Sequence, residues 1–169
     1  MNTIGTRENV HEQLAALVPR LRRFARNLVR NQDDADDVVQ MALERALKNL
    51  AQWRSDARLD SWLFKIVRNA WIDEVRSRVR RNKVFVGEEA GEDIGSDPME
   101  QATEAMSVQW AMARLPEDQR TAVSLVLVEG LPYKEAAEVL DIPMGTLTSR
   151  LARGRATLQA LLDAEGERG

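Results

Sequence analysis

The sequence holds no cysteine and a single histidine, His11. The first absence excludes a disulfide framework, a thiolate metal site and a cysteine nucleophile. The second excludes His-rich metal centres and His-paired catalytic arrangements. No apolar run approaches the roughly 18 residues needed to span a bilayer. The opening Met1-Asn2-Thr3-Ile4-Gly5-Thr6-Arg7-Glu8 lacks the charged-then-apolar pattern of a signal peptide. No Gly-rich phosphate loop or Walker sequence is present. Sustained period-2 alternation is missing too, so no sheet is expected. Carboxylates are plentiful, yet they sit at helix starts or in one acidic stretch, and no metal-ligand spacing recurs among them. The expectation is a soluble cytoplasmic protein that is not an enzyme, with no metal, no cofactor, no small-molecule substrate and no membrane insertion.

What is present is charge, unevenly spread. The 169 residues carry 24 Lys+Arg against 27 Asp+Glu. Residues 1–83 have a net charge of +6, residues 84–109 of −7 with no basic group, and residues 110–169 of −2. The stretch Gly87 to Pro98 has three glycines, five acids before Pro98 and almost nothing to bury, so it reads as a self-repelling flexible connector. The predicted organisation is all-α: a helical domain over 10–83, an acidic linker over 84–97 and a second helical domain over 98–165. Each is small enough to bury only a modest core.

Helical period dominates on both sides of the linker. Leu14, Leu17, Val18, Leu21, Phe24, Ala25 and Leu28 form one apolar stripe, inside which Pro19 must start or kink a helix. Asn31-Gln32-Asp33-Asp34 is a capping cluster. Behind it runs the stripe Ala35, Val38, Val39, Ala42, Leu43, Ala46, Leu47 and Leu50, opposite a polar face of Asp37, Gln40, Met41, Glu44 and Lys48. A third stripe runs from Leu63 to Val75, which makes a three-helix bundle with room for a short extra helix. Beyond the linker, Asp97-Pro98-Met99-Glu100 matches a helix start. Further helices are expected from Pro116 to a stop at Gly130, near Lys134–Leu140, and near Met144–Leu162.

The strongest local signal is the run from Tyr133 to Arg155, which reads as helix, tight turn, helix. Ala137 is small where the helices must approach, and Leu147 and Leu151 would pack the second helix on the first. Asp141 stands where such turns often hold glycine, and Asp tolerates the left-handed conformation. The exposed face of the second helix carries Thr146, Ser149, Arg150, Arg153 and Arg155, donors suited to phosphates and base edges in a major groove. An amphipathic hairpin whose arginines merely reach solvent is the alternative. A second signal lies between Trp53 and Lys83. Three of the four tryptophans, Trp53, Trp62 and Trp71, fall there with Phe64, and Lys65–Lys83 has a net charge of +5. Aromatics interleaved with cations suit unstacked bases and phosphates of a single strand, although Trp62 and Trp71 are also reasonable core residues and Arg76–Lys83 a solvated helix end.

Taken together, these stretches resemble the extracytoplasmic-function group of bacterial RNA polymerase sigma factors. Four pieces carry the resemblance in family order: Asp33–Gln40 opening a helix, Ser61–Asn69, Leu115–Arg120 and Gly145–Leu151. It extends from about Leu14 to Leu162, and Leu115–Arg120 with Pro132–Ala137 is most similar to the alphaproteobacterial general-stress members. The resemblance implies that the first domain binds the clamp helices of core RNA polymerase through Asp37, Gln40, Met41 and Glu44. It implies that the loop Trp53–Asp60, with Trp53, Arg54, Ser55, Asp56 and Arg58, captures a flipped minus-ten base, while Trp62, Lys65, Arg68 and Asn69 line the melted strand. In the second domain it puts Thr148, Ser149 and Ala152 at base edges of the minus-thirty-five element, and Thr146, Arg150, Arg153 and Arg155 at phosphates. Thr148 replaces the Lys or Arg of many relatives and Ala152 a bulkier residue, so no relative's promoter sequence carries over. Control by an anti-sigma factor, in a stress or envelope response, is also implied. The competing expectations are a sigma-like decoy that occupies an anti-sigma factor, and a simple helix-turn-helix repressor.

Overall fold

The computed structural model describes residues 3–54, 56–84 and 104–168. All regular structure among them is helical. Helix α1 (Thr3–Leu28) buries Leu14, Leu21, Phe24, Ala25 and Leu28 and continues through Pro19. The proline therefore does not start a helix. Its missing hydrogen bond costs about 3 kcal/mol, less than the burial of the large apolar side chains around it, at about 1.5–3 kcal/mol each.

Asn31 then caps α2 (Gln32–Lys48), its side-chain oxygen accepting the backbone N–H groups of Asp33 at 2.9 Å and Asp34 at 3.3 Å. Ala35, Val38, Val39, Ala42 and Ala46 are buried as their spacing predicts, but Leu47 is 51% exposed. One step past Ala46 is a rotation of about 100°, which carries Leu47 off the core face. A single 3-10 turn, Leu50–Gln52, is the short extra helix, and α3 (Leu59–Val84) completes the bundle. Phe24 and Phe64 meet edge to face at 5.2 Å, fixing α1 on α3.

Helix α4 (Glu104–Arg114) follows; the start expected at Asp97–Glu100 lies outside the described residues. Helix α5 (Glu117–Val123) continues into one π turn, Ser124–Val128, and the chain reverses at Gly130 with φ +74°. Helix α6 (Tyr133–Leu140) ends at Asp141, φ 54° and ψ 50°, the left-handed conformation foreseen for it. Helix α7 (Met144–Gly166) starts behind Pro143.

The core does not divide at the linker. Leu125, Leu131, Ala136, Ala137, Leu140 and Leu147 from the second half join the same buried cluster as Leu21, Phe24, Phe64 and Val67 from the first. A smaller cluster of Met112, Leu115, Val123 and Leu151 holds α7 to α4 and α5. Leu151 thus packs away from α6, and only Leu147 plays the part expected of both. Gly154 is buried where α7 crosses α5, and a Cβ there would lie 2.6 Å from Val123 Cγ2. Gly154→Ala should lower stability by about 1–3 kcal/mol in urea melts, despite the better helix propensity of alanine. Gly154→Ala should cost less in a Val123→Ala background than in the wild type; a stability equal to or above wild type for Gly154→Ala alone would contradict the crowding.

Candidate nucleic-acid interface

The spacing of α7 sorts its residues into two faces. Leu147, Leu151 and Gly154 point inward, and Thr148, Ser149, Ala152, Arg153 and Arg155 are exposed. Thr148 donates its hydroxyl hydrogen to the Gly145 carbonyl at 3.0 Å, so this polar group is already satisfied within its own helix. Thr146 is half-buried, and Arg150 is half-buried with its guanidinium 3.7 Å from Asp118 on α5. Arg153 and Arg155 are the two cations on this face most open to solvent and phosphate.

In the first half, the loop before α3 is held by its own atoms. The Trp53 indole N–H donates to the Ala57 carbonyl at 3.2 Å while the ring packs on the core, and Arg54 pairs with Asp56 at 3.4 Å. Ser55 lies outside the described residues. Leu59 and Asp60 belong to the helix rather than the loop. Asp60 is buried and takes two hydrogen bonds from Arg58, at 3.1 and 2.8 Å, and one from Arg20 at 3.2 Å. Burial by itself raises the Asp60 pKa, but hydrogen bonds from Arg58 and the Ser61 N–H, with the charges of Arg58 and Arg20, bring it below the usual value.

Along α3, Lys65 and Asn69 are exposed, and Trp62 and Trp71 are half-buried against the core. Arg68 is half-buried, and desolvation lowers its pKa; the Arg150 charge adds to this and the Asp141 charge opposes it. Not all of the basic run is free for a ligand. Arg78 makes a bidentate pair with Asp34 at 2.7 and 3.0 Å, bonds Glu74 at 3.1 Å and lies 5.6 Å over the Trp71 ring. Arg81 also reaches Glu74, at 3.2 Å. The Arg78–Asp34 pair ties α3 to the start of α2, while the bonds to Glu74 lie within α3; the Arg78 hydrogen bonds also push the Asp34 carboxyl below its ordinary pKa. On α2 itself, Asp37, Gln40 and Glu44 are exposed and Met41 is half-buried, one stripe opposite the buried face.

Four residues to which the sequence reading gave no role lie between the two halves. Glu129, at the end of the π turn, has a fully buried side chain that accepts from Arg23 at 2.6 and 2.9 Å and from Arg20 at 3.3 Å. Arg20 also bonds the Glu129 carbonyl at 2.7 Å. Arg120, buried on α5, donates to the carbonyl of Asn27 near the end of α1 and to that of Leu115. A lone acid between the apolar runs Leu125–Val128 and Leu131 was the available signal for Glu129. Among the described residues, no group of three acids or histidines could hold a metal ion, and no helix is long and apolar enough to cross a membrane.

Two family models match the chain: Sigma-70 region 2 over residues 14–81 and Sigma-70, region 4 over residues 105–158. The ECF RNA polymerase sigma factor EcfG of Rhodopseudomonas palustris is 38% identical over 160 residues, covering 94% of this chain and 88% of the relative. The ECF RNA polymerase sigma factor SigM of Mycobacterium tuberculosis is 40% identical over 144 residues, 84% of this chain and 71% of the relative. The sigma factor RpoE of Bartonella quintana, solved in complex with the anti-sigma factor NepR, superposes with a TM-score of 0.79 at 29% identity, over 92% of this chain and 98% of that one.

The lowered Asp60 pKa gives a signed prediction. A carboxyl depressed on folding contributes its stability in full above its unfolded pKa of about 4, and loses it as pH falls through the folded value. Urea melts should therefore show a shallower acid decline, below about pH 4, in Asp60→Asn than in wild type. Parallel curves would mean that Asp60 does not differ between folded and unfolded chains.

Proposed function

The chain belongs to the extracytoplasmic-function group of RNA polymerase sigma factors, and we propose that its exposed faces divide the work of such a subunit as follows. The α2 stripe of Asp37, Gln40, Met41 and Glu44 docks on the clamp helices of core polymerase. Trp53, Arg54, Ser55, Asp56 and Arg58 receive a minus-ten base turned out of the stack, and Trp62, Lys65, Arg68 and Asn69 follow the melted strand. Thr148, Ser149 and Ala152 meet minus-thirty-five base edges while Thr146, Arg150, Arg153 and Arg155 hold phosphates. The functional units are residues 10–83 and 98–165, joined by 84–97. The chain acts in the cytoplasm and catalyses nothing itself; polymerase makes the RNA.

The observation that carries this reading is the pair of faces on α7, with Leu147 and Leu151 buried and five residues of the opposite side open to solvent. Control by an anti-sigma factor belongs to the same proposal, and its support is the likeness to a sigma factor solved with such a partner. A decoy that only occupies an anti-sigma factor has no use for Arg153 and Arg155 exposed on α7.

In vitro transcription with core polymerase and fragmented genomic DNA, with RNA 5′ ends sequenced, tests the proposal. Discrete new starts sharing two spaced upstream elements are expected, and none would favour the decoy. Arg153→Ala should weaken promoter binding by a similar factor for all sequences and reduce the salt slope by about 1. A loss confined to one base pair would instead make Arg153 a base reader. Asp37→Arg should weaken binding to core polymerase without changing the far-ultraviolet spectrum; unchanged affinity would remove α2 from the docking face.

A further inference from the structure

Two polar pins hold α1 to the second unit. In the first, the Glu129 carboxylate, 0% exposed, meets three guanidinium N–H groups from Arg20 and Arg23. In the second, buried Arg120 donates to the Asn27 carbonyl in the last turn of α1, where a positive charge is also favoured by the helix dipole, and Asn27 donates to Ser124 Oγ at 3.1 Å. Arg20 extends the first pin to Asp60 and Arg58, so one chain of charges runs from α3 through α1 to the π turn.

A carboxylate taken out of water costs several kcal/mol unless it is paired. Glu129 is therefore tolerable in the interface only while both arginines reach it. On opening, water replaces those partners, which offsets part of the cost, and the rest is exposure of the apolar cluster that the two units share. The pins are the part of the interface that water can replace, beside a shared apolar cluster that it cannot.

Closure also restricts the surfaces proposed above. Between the units lies a cleft of about 400 Å³ whose lining includes Leu28, Arg68, Trp71, Asp118, Leu140 and Arg150. Arg68 and Arg150 come from opposite walls, so a strand on one and a duplex on the other would compete for the same space. The promoter sets a longer scale. Elements 25 base pairs apart are separated by about 85 Å along the duplex, and a folded chain of this length is only about 40 Å across.

We propose that Glu129 and Arg120 latch the second unit onto α1, that the chain closes on itself without a partner protein, and that promoter engagement requires the latch to open. The closure stands on the contacts alone; the last part rests on the function proposed above. Because the chain has no cysteine, Lys48→Cys and Ala156→Cys place two spin labels on exposed sites of the two units and nowhere else. Pulsed dipolar measurements on the full chain should give one narrow distance. Glu129→Gln should raise the open-to-closed ratio at least about tenfold. Arg23→Ala, at a side chain 50% exposed on α1, should act in the same direction, with an unchanged far-ultraviolet spectrum showing that the helices stay folded. A broad distribution in the unsubstituted chain, or one that neither change moves, overturns the latch. With core polymerase at limiting protein, Glu129→Gln should raise promoter-specific initiation. Labels that open without such a rise overturn the regulatory part, whereas a wild-type chain that starts no transcript at all defeats the proposed function and leaves the latch intact.

Discussion

A carboxylate sealed from solvent and met by two arginines from a helix more than a hundred residues away is the constraint on which the arrangement of this molecule depends. Hydrophobic burial alone would bring the two halves together in many orientations, since it has no direction. Glu129 removes that freedom. Its oxygens accept from Arg23 and Arg20 with defined geometry, and the Arg20 guanidinium is itself fixed by Asp60, which Arg58 and the Ser61 N–H hold in turn. One acid at the end of the π turn thereby sets where α6 lies on α3, and with it the surroundings of Arg68.

The same side-chain chemistry serves two ends in this chain. Arginines that bind acids of their own fold, such as Arg78 with Asp34 and Glu74, give up their availability to phosphate and in return hold helices in register. Arg153 and Arg155, exposed on α7 and paired with no acid among the described residues, keep it. A basic stretch counted from sequence mixes both kinds, and the net charge of a segment overstates the charge it can offer a nucleic acid.

Most of the helices were legible because amphipathic stripes and caps are local. Asn31 with its two following amides, the Asp141 turn and the Pro143 restart all lie within a few residues of what they determine. Where local rules failed, packing decided otherwise. The helix through Pro19 is held by apolar side chains on both sides of the break, and Leu151 faces α5 because α7 lies between two clusters rather than on α6 alone. The candidate surfaces were legible as types and spacings on single helices. The pairing of Arg20 and Arg23 with Glu129 was not, because three charges scattered over two stripes carry no mark of one another until the fold brings them together.

The π turn at Ser124–Val128 has a consequence for how this surface can change. Its backbone closes with Glu129 N–H on the Ser124 carbonyl, at 2.9 Å, five residues back instead of four. One residue more per turn rotates everything after it by about a quarter turn relative to a regular α-helix. The aim of the Glu129 carboxylate is thus set by a count of residues as much as by its identity. Loss of the codon for Val126 or Leu127 would restore the regular helical count, swing the acid away from α1 and leave every pin residue in the sequence. Lineages could therefore diverge in how their two halves are joined through a single-residue deletion that a comparison of conserved charges would pass over.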